Sequence, residues 1–435
     1  MRPQIYLIAL LGVILASCHN SQTAMFGVNP HHDGIYESTF AEDVSLTERW
    51  KFKTNGCISG SAIVVDDIVY FGSEDSCLYA LESNGNLKWK FKSNGRICST
   101  PAYYDGVVYF NNYGGLLYAI SAKSGKEIWI FKTDGEFVRS GKGLNWCTPK
   151  DSVISDVWDF YTSSPVIDKG VIYFGSGYNV YAIDLNSQTL KWRFTAPNVV
   201  HSSPAVAFNR VYFGCWDCKF YAVNIQTGRA VWSAQTGVDD ENHGMEGIQS
   251  SPTIVDSMVV IGARDAHVYC YNALNGNLIW KQKFAQTWMP SSFAYDGKHI
   301  YTGSSDIAKL LKLDKLDGAT ISSFSTGSYT FSTPALSGNM AFIGSTNGAL
   351  YSVNTKTGAV KTFETEGRKS DPLDVISPDG TINAKAFADI NGSSYAFAQE
   401  YVRRLFTAGS ILSTPVIDEN VVYFGSVDGY FYAVR

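Results

Sequence analysis

The residues best equipped for chemistry in this chain stand in one short run, GVDDENHGMEGIQ at 237–249, where Asp239, Asp240, Glu241, His243 and Glu246 offer potential metal ligands in close succession. A hard cation needs several oxygens converging on one point. The run lacks the regular spacing of a calcium loop and reads as a solvated acidic loop. A second candidate is CWDC at 215–218, but it spans a hairpin turn, which supplies no helix N-terminus to lower a thiol pKa. His201 stands alone before an SSP triplet and reads as a hydrogen-bonding residue. No nucleophile, base and orienting acid recur at catalytic spacing, so the expectation is no catalytic residue, no metal, no bound cofactor and no enzymatic activity.

Cysteine chemistry divides in two. Cys18 closes the tetrad LASC, which follows Arg2 and the apolar run Ile5–Ala16; that run is too short to span a bilayer and fits a signal-peptide core. The tetrad resembles the bacterial lipoprotein box, which implies removal of 1–17, lipidation of Cys18 and a membrane attachment through the N-terminal lipid. His19 stands where an aspartate would resemble an inner-membrane retention signal, so the expected location is the cell envelope, at the outer membrane and facing the periplasm. The remaining cysteines, Cys57, Cys77, Cys98, Cys147, Cys215, Cys218 and Cys270, are odd in number, which leaves at least one thiol free or paired between molecules. Cys57 and Cys98 fall one residue out of register in adjacent repeats, where a bond is conceivable.

The elements that must position these groups come from repetition. A chain of 435 residues with 17% charged and 14% aromatic residues, including 26 Tyr and 25 Phe beside 39 Gly, suits short aromatic strands joined by glycine turns. A net charge of −5 gives no basic footprint for nucleic acid. A phrase of two hydroxyl residues and proline recurs at STP (99), SSP (163), SSP (202), SSP (250), STP (332) and STP (413), with SGSA (59) and PSSF (290) as variants. Each copy leads to a strand such as VIYFGS, a turn with Asp75, Asp217, Asp265, Asp306, Asn347 or Asp428, and a strand such as LYAI. A fourth strand follows, which carries Trp89, Trp129, Trp192, Trp232 or Trp280. Period-2 alternation over about 40 residues describes a four-stranded antiparallel blade. The fold expected is all-β, an eight-bladed β-propeller over 46–435 behind a leader at 18–45. The eighth unit, VVYFGSVDGYFYAVR, has three strands, whereas ERWKFKTNG with Trp50 has no blade before it. The N-terminal strand therefore pairs into the C-terminal blade and closes the ring, and truncation short of Trp50 is expected to be tolerated.

The phrases AISAKSGKEIW (119–129) and AVNIQTGRAVW (222–232) resemble the tryptophan-docking repeat of the PQQ-repeat, quinoprotein-like propellers, and the likeness covers the chain from about Leu46 to Arg435. The resemblance implies that Trp50, Trp89, Trp129, Trp192, Trp232 and Trp280 are structural residues between blades. Ser322 stands where unit six should carry the indole, and unit seven offers VKTF or VRRLF instead. With a lipid anchor, the chain looks like the BamB family, which implies a non-catalytic scaffold with an envelope protein partner in the β-barrel assembly machinery. The alternative is a quinoprotein dehydrogenase with pyrroloquinoline quinone and calcium on the axis; such enzymes carry adjacent cysteines, and here Cys215 and Cys218 come nearest. A surface sensor or carbohydrate-binding protein is the third reading, with Trp146, Trp158 and Trp288 as stacking faces.

Three insertions interrupt the repeat, at about 134–160, 237–249 and 364–400. The first two fall between a fourth strand and the next first strand, on one face, and make Trp146, Trp158, Asp239, Asp240, Glu241, His243 and Glu246 candidate interaction residues. The third precedes RRLFTAGSILSTP and is expected before a fourth strand, on the opposite face.

Overall fold

A computed structural model describes residues 22–37, 40, 45–241, 243–285, 287–390 and 392–435; Cys18 and the signal segment 1–17 lie outside the described residues. Blade one is built from Ala62–Val65, Ile68–Gly72, Cys77–Glu82 and Leu87–Lys92, paired antiparallel in that order. Blades two to seven repeat the plan at 102–132, 166–195, 205–235, 253–283, 293–325 and 335–364. Blade eight holds Val416–Asp418, Val421–Gly425 and Tyr430–Val434, and Glu48–Lys53 supplies its outer strand, with Trp50 opposite Ala433 and Phe52 opposite Phe431. The chain is an eight-bladed β-propeller whose ring is closed by Glu48–Lys53, the strand just before blade one, while a shorter strand, Thr23–Ala24, adds to the first strand of blade two.

The strand patterns follow from this stacking. Second strands such as Ile68–Gly72 are buried throughout because neighbouring blades cover both faces, whereas outer strands such as Leu87–Lys92 alternate. The two hydroxyl residues of the repeated phrase do different work at the hub. The first pins its own blade: Gly175, Gly262 and Gly425 donate backbone N–H bonds to Ser163, Ser250 and Ser413 Oγ at 2.8–2.9 Å. The second links blade to blade. Thr100 N–H donates to Ser164 Oγ, Ser164 to Ser203, Ser203 to Ser251, Ser251 to Ser292 and, across the closure, Thr414 to Ser61, at 2.7–2.9 Å. These N–H groups sit where the chain enters each blade and lack a strand partner, so the neighbour's hydroxyl satisfies them.

The rim is joined by the indoles. Nε1 of Trp50, Trp89, Trp192, Trp232 and Trp280 donates to the carbonyls of Ser83, Ala122, Ile225, Ala273 and Lys315 in the next blade, at 2.8–3.2 Å. Each ring lies on a glycine of the next blade's last turn; a Cβ at Gly228, which has φ 66°, would stand 2.7 Å from the Trp192 ring. Blade three has Asn186-Ser187-Gln188 at that turn, and no indole-to-carbonyl bond accompanies Trp129 among the described residues. Blade seven uses Val360–Glu364 as its fourth strand, with Lys361 opposite Ser352 at the indole position.

That pairing corrects the sequence expectation for the third insertion. Residues 366–406 follow the fourth strand and therefore lie on the same face as the other two. The segment RRLF belongs to a helix, where Leu405 is buried toward a small core and mimics a strand's apolar position. Two α-helices form there, α1 (Glu366–Ser370) and α2 (Tyr395–Phe406), with a 3-10 turn at Ala384–Phe387 between them; α1 and α2 are capped by Thr365 and Ser394 hydroxyls that accept from Arg368 and Phe397 N–H.

The leader closes the opposite mouth. Val206, Ile254, Tyr295 and Leu336 donate N–H bonds to the carbonyls of Pro30, His31, Asp33 and Gly34 at 2.8–2.9 Å, so the segment crosses the first strands of blades four to seven. His32 is buried, with Nδ1 2.9 Å from the Pro252 carbonyl oxygen, and burial lowers its pKa to about 4. Truncation short of Trp50, which the sequence leads one to expect to be tolerated, would remove these bonds and so carry a cost in stability.

Candidate functional site

The insertion-bearing face is organised around the turn between the second and third strands of each blade. The recurrent Asp or Asn of that turn accepts the N–H two residues on, as Asp75 does from Cys77 at 2.9 Å, and takes a tyrosine hydroxyl four residues on. The pairs Asp75–Tyr79, Asp217–Tyr221, Asp265–Tyr269 and Asp428–Tyr432 bond at 2.5–2.8 Å, and Asn347 donates to Tyr351 at 2.8 Å. These are turn-forming residues. Asp306 is the exception, because Leu310 stands where the tyrosine should be, and its exposed carboxylate receives only a 3.4 Å contact from Trp288 N–H among the described residues.

The residue just before this Asp varies from blade to blade and points to the axis. In blades four and five it is Trp216 and Arg264, both fully buried. The first insertion adds Arg139 and Asp156, and together they form a ladder. The guanidinium of Arg139 lies 4.3 Å from the Trp216 ring, that of Arg264 4.3 Å from the same ring and 4.2 Å from Trp288. Asp156 Oδ2 accepts from Arg264 Nη1 at 2.6 Å and Arg139 Nη1 at 3.4 Å; Arg139 Nη2 donates to Glu246 at 2.8 Å. Burial pushes Arg264 below its ordinary pKa, and Asp156 acts against that shift. Beside the ladder, His201 is enclosed with Nδ1 2.7 Å from Asp159 and Nε2 3.2 Å from Glu136. Burial alone would lower its pKa, but the two carboxylates outweigh burial and raise it to about 10. Both ring nitrogens are engaged, so the trio offers no shared centre for a cation; among the described residues no group of three or more His, Cys, Asp or Glu is placed to hold a metal.

Above this floor the three insertions meet. Trp158 of the first stacks on Phe331 at 4° between planes and meets Trp288 and Tyr329 edge-on at 83° and 87°. It also touches Tyr401 of α2 and shares that insertion's small core. Thr148 N–H donates to the Ser393 carbonyl at 2.6 Å, tying first to third, and Trp146 packs its ring against Gly244 of the second. Two adjoining cavities result. One, of about 520 Å³, is lined by Trp146, Trp158, Trp288, Tyr329, Asp239 and Asp306, with Met245 beneath. The other, of about 330 Å³, shares the three tryptophans and adds Phe397, Ala398 and Tyr401. The hub cavity between the hydroxyl ring and Phe331 holds only about 40 Å³.

The structure thus brings together Trp146, Trp158 and Asp239 from the residues singled out in the sequence. It leaves Asp240 and Glu241 exposed at the loop, and commits Glu246 to Arg139 and to His243 Nδ1, 3.0 Å away. Arg139, Asp156, Trp216, Arg264, Tyr329 and Tyr401 were not singled out; the signal for Trp216 and Arg264 was the one variable position before the turn Asp. All seven cysteines among the described residues are free thiols, so Cys57 and Cys98 are unbonded, and burial raises Cys57 to about 11 and Cys215 well above the ordinary range.

Comparison with known proteins supplies the relatives. Quinoprotein alcohol dehydrogenase PedH and quinoprotein ethanol dehydrogenase, both of Pseudomonas putida, are 29% and 28% identical over 93 and 95 residues, 19% and 20% of this chain. The matched stretch spans only 16% and 15% of the length of those relatives. Among solved structures, BamB from Moraxella catarrhalis superposes with a TM-score of 0.62 at 14% identity, covering 90% of this chain and 100% of that one. A europium-containing methanol dehydrogenase gives 0.65 at 14% identity, covering 93% and 90%. At such identity these structures share the fold alone. The family described as outer membrane protein assembly factor BamB matches residues 45–144, 150–287 and 264–435. With nearly the whole ring so matched, the chain belongs to that family.

Proposed function

We propose that the protein is a non-catalytic scaffold of the bacterial cell envelope, held to the outer membrane through lipid on Cys18 and presenting its insertion face to a protein partner of the β-barrel assembly machinery. The observation that carries this reading is the convergence of all three insertions on one face, where they build a two-chambered aromatic groove above a closed hub. Three insertions gathered on one face, over a scaffold locked by hydroxyl and indole bonds, are the arrangement expected of a recognition surface.

A quinone enzyme is the reading the dehydrogenase relatives suggest, and the packing at the hub favours the scaffold over it. Small-molecule sites enclose roughly 300–1,000 Å³; the hub cavity is about 40 Å³, and only the groove above it, at about 520 and 330 Å³, falls in that range. Trp158 and Phe331 stack across the axis, and His201, Asp159, Asp156 and Arg264 are already bonded to one another or to neighbours. Two experiments test the proposal. A photo-crosslinker at position 146 or 398, in intact envelopes, should capture a discrete partner that a crosslinker at exposed Leu316 on the rim does not. Titration with pyrroloquinoline quinone and calcium should leave the melting temperature unchanged, since a ligand of the folded state must raise it. A saturable rise would replace the scaffold by the enzyme.

A further inference from the structure

The groove carries a specific chemistry. Its larger chamber is an aromatic box: Trp158 stands nearly perpendicular to both Trp288 and Tyr329, Trp146 forms a further wall with 46% of its surface exposed, and the Asp239 and Asp306 carboxylates border the space. Orthogonal aromatic faces with carboxylates alongside favour an organic cation, because ring quadrupoles and anionic oxygens attract the same charge and the ring faces lose little on desolvation. Asp306 is the strongest single indication. In five other blades the equivalent Asp or Asn is consumed by a tyrosine hydroxyl, whereas here Leu310 replaces the tyrosine and the carboxylate faces the cavity. The rings of the floor already accept guanidinium groups in alternation, Arg139, Trp216, Arg264 and then Trp288, and the alternation stops at the ring that forms the box wall. The second chamber, beyond the shared tryptophans, is lined by Phe397, Ala398 and Tyr401 and suits an apolar side chain.

We propose that the groove binds an extended segment of a partner protein by seating an arginine side chain in the Trp146–Trp158–Trp288–Tyr329 box against Asp239 and Asp306, with an apolar side chain two residues away in the Phe397–Tyr401 chamber. Two residues is the spacing that puts both side chains on one side of an extended strand. The inference rests on the scaffold reading for the source of the arginine, though the box chemistry stands without it.

The test uses the full chain and the peptide Ac-Gly-Arg-Gly-Phe-Gly-NH2, read by calorimetry and tryptophan fluorescence. Saturable binding is expected. Citrulline in place of arginine, which keeps shape and removes charge, should weaken it about tenfold, and serine in place of phenylalanine about fivefold. Asp306→Asn should erase the preference for arginine over citrulline while leaving the melting temperature unchanged, because the carboxylate is exposed and the bond it accepts from the Trp288 backbone N–H is long. Trp146→Ala should weaken both peptides. Equal affinity for the arginine and citrulline peptides, no binding of either, or an Asp306→Asn variant that keeps the preference overturns the proposal. If the peptide fails while position 146 still crosslinks a partner, the scaffold survives and the cation box falls. If the peptide binds with the expected preference and no protein is crosslinked, the box stands and the scaffold falls.

Discussion

At the scale of single residues, His201 is the group whose charge the fold decides. Its pKa rises to about 10 in the folded state from an ordinary 6.5. A group raised in this way contributes stability that is complete below pH 6.5 and is lost as pH climbs through 10. Melting temperature should therefore decline between those limits, and His201→Asn should be destabilised at pH 6 and show a shallower decline. A flat profile in the parent protein would contradict the ion trio. The thiols give a second expectation at this scale. With burial raising the pKa of Cys57, Cys77, Cys98, Cys147, Cys215, Cys218 and Cys270, a thiol reagent at neutral pH should label the native chain slowly and reach all seven of these cysteines once it is unfolded. None of these environments was readable in the sequence. His201, Asp159 and Glu136 are neighbours only because an insertion folds back onto the axis, and no local spacing encodes that return.

At the scale of elements, the hub and the rim make separable predictions. Trp192→Ala removes a buried indole and its bond to the Ile225 carbonyl, and should cost about 3–5 kcal/mol. Gly228→Ala puts a Cβ against that ring at a positive φ and should cost about 1–3 kcal/mol, although it deletes nothing. Ser203→Ala orphans the buried N–H of Ser164 and should cost about 1–3 kcal/mol. Urea denaturation with an unchanged slope would measure all three. These devices were legible in the sequence because each is local: a hydroxyl pair before a strand, a glycine turn, an indole at fixed register. The third insertion was misplaced because VKTF carries lysine where the indole marks a fourth strand, whereas Leu405 and Phe406 supplied the apolar residues that strand was expected to have. Propensity and pattern describe segments; the face on which a segment emerges depends on which strand came before it.

At the scale of the whole molecule, the ring has two closures, the strand Glu48–Lys53 in blade eight and the leader across the far mouth. Deleting residues 22–36 should lower the melting temperature and leave a folded propeller, whereas deleting 22–53 should give a chain that aggregates, read by light scattering and sedimentation. Among the described residues no helix is long and apolar enough to cross a membrane. The strand closure also has a meaning in time. Thr47 and Arg435 exchange backbone bonds of 2.8 and 2.9 Å, so the earlier segment waits for a partner synthesised 388 residues later. Until then Glu48–Lys53 has no partner, and seven blades form an open arc with an adhesive edge at its end. Any product that stops short of Tyr430–Val434 therefore leaves that edge open, however many blades it has already formed.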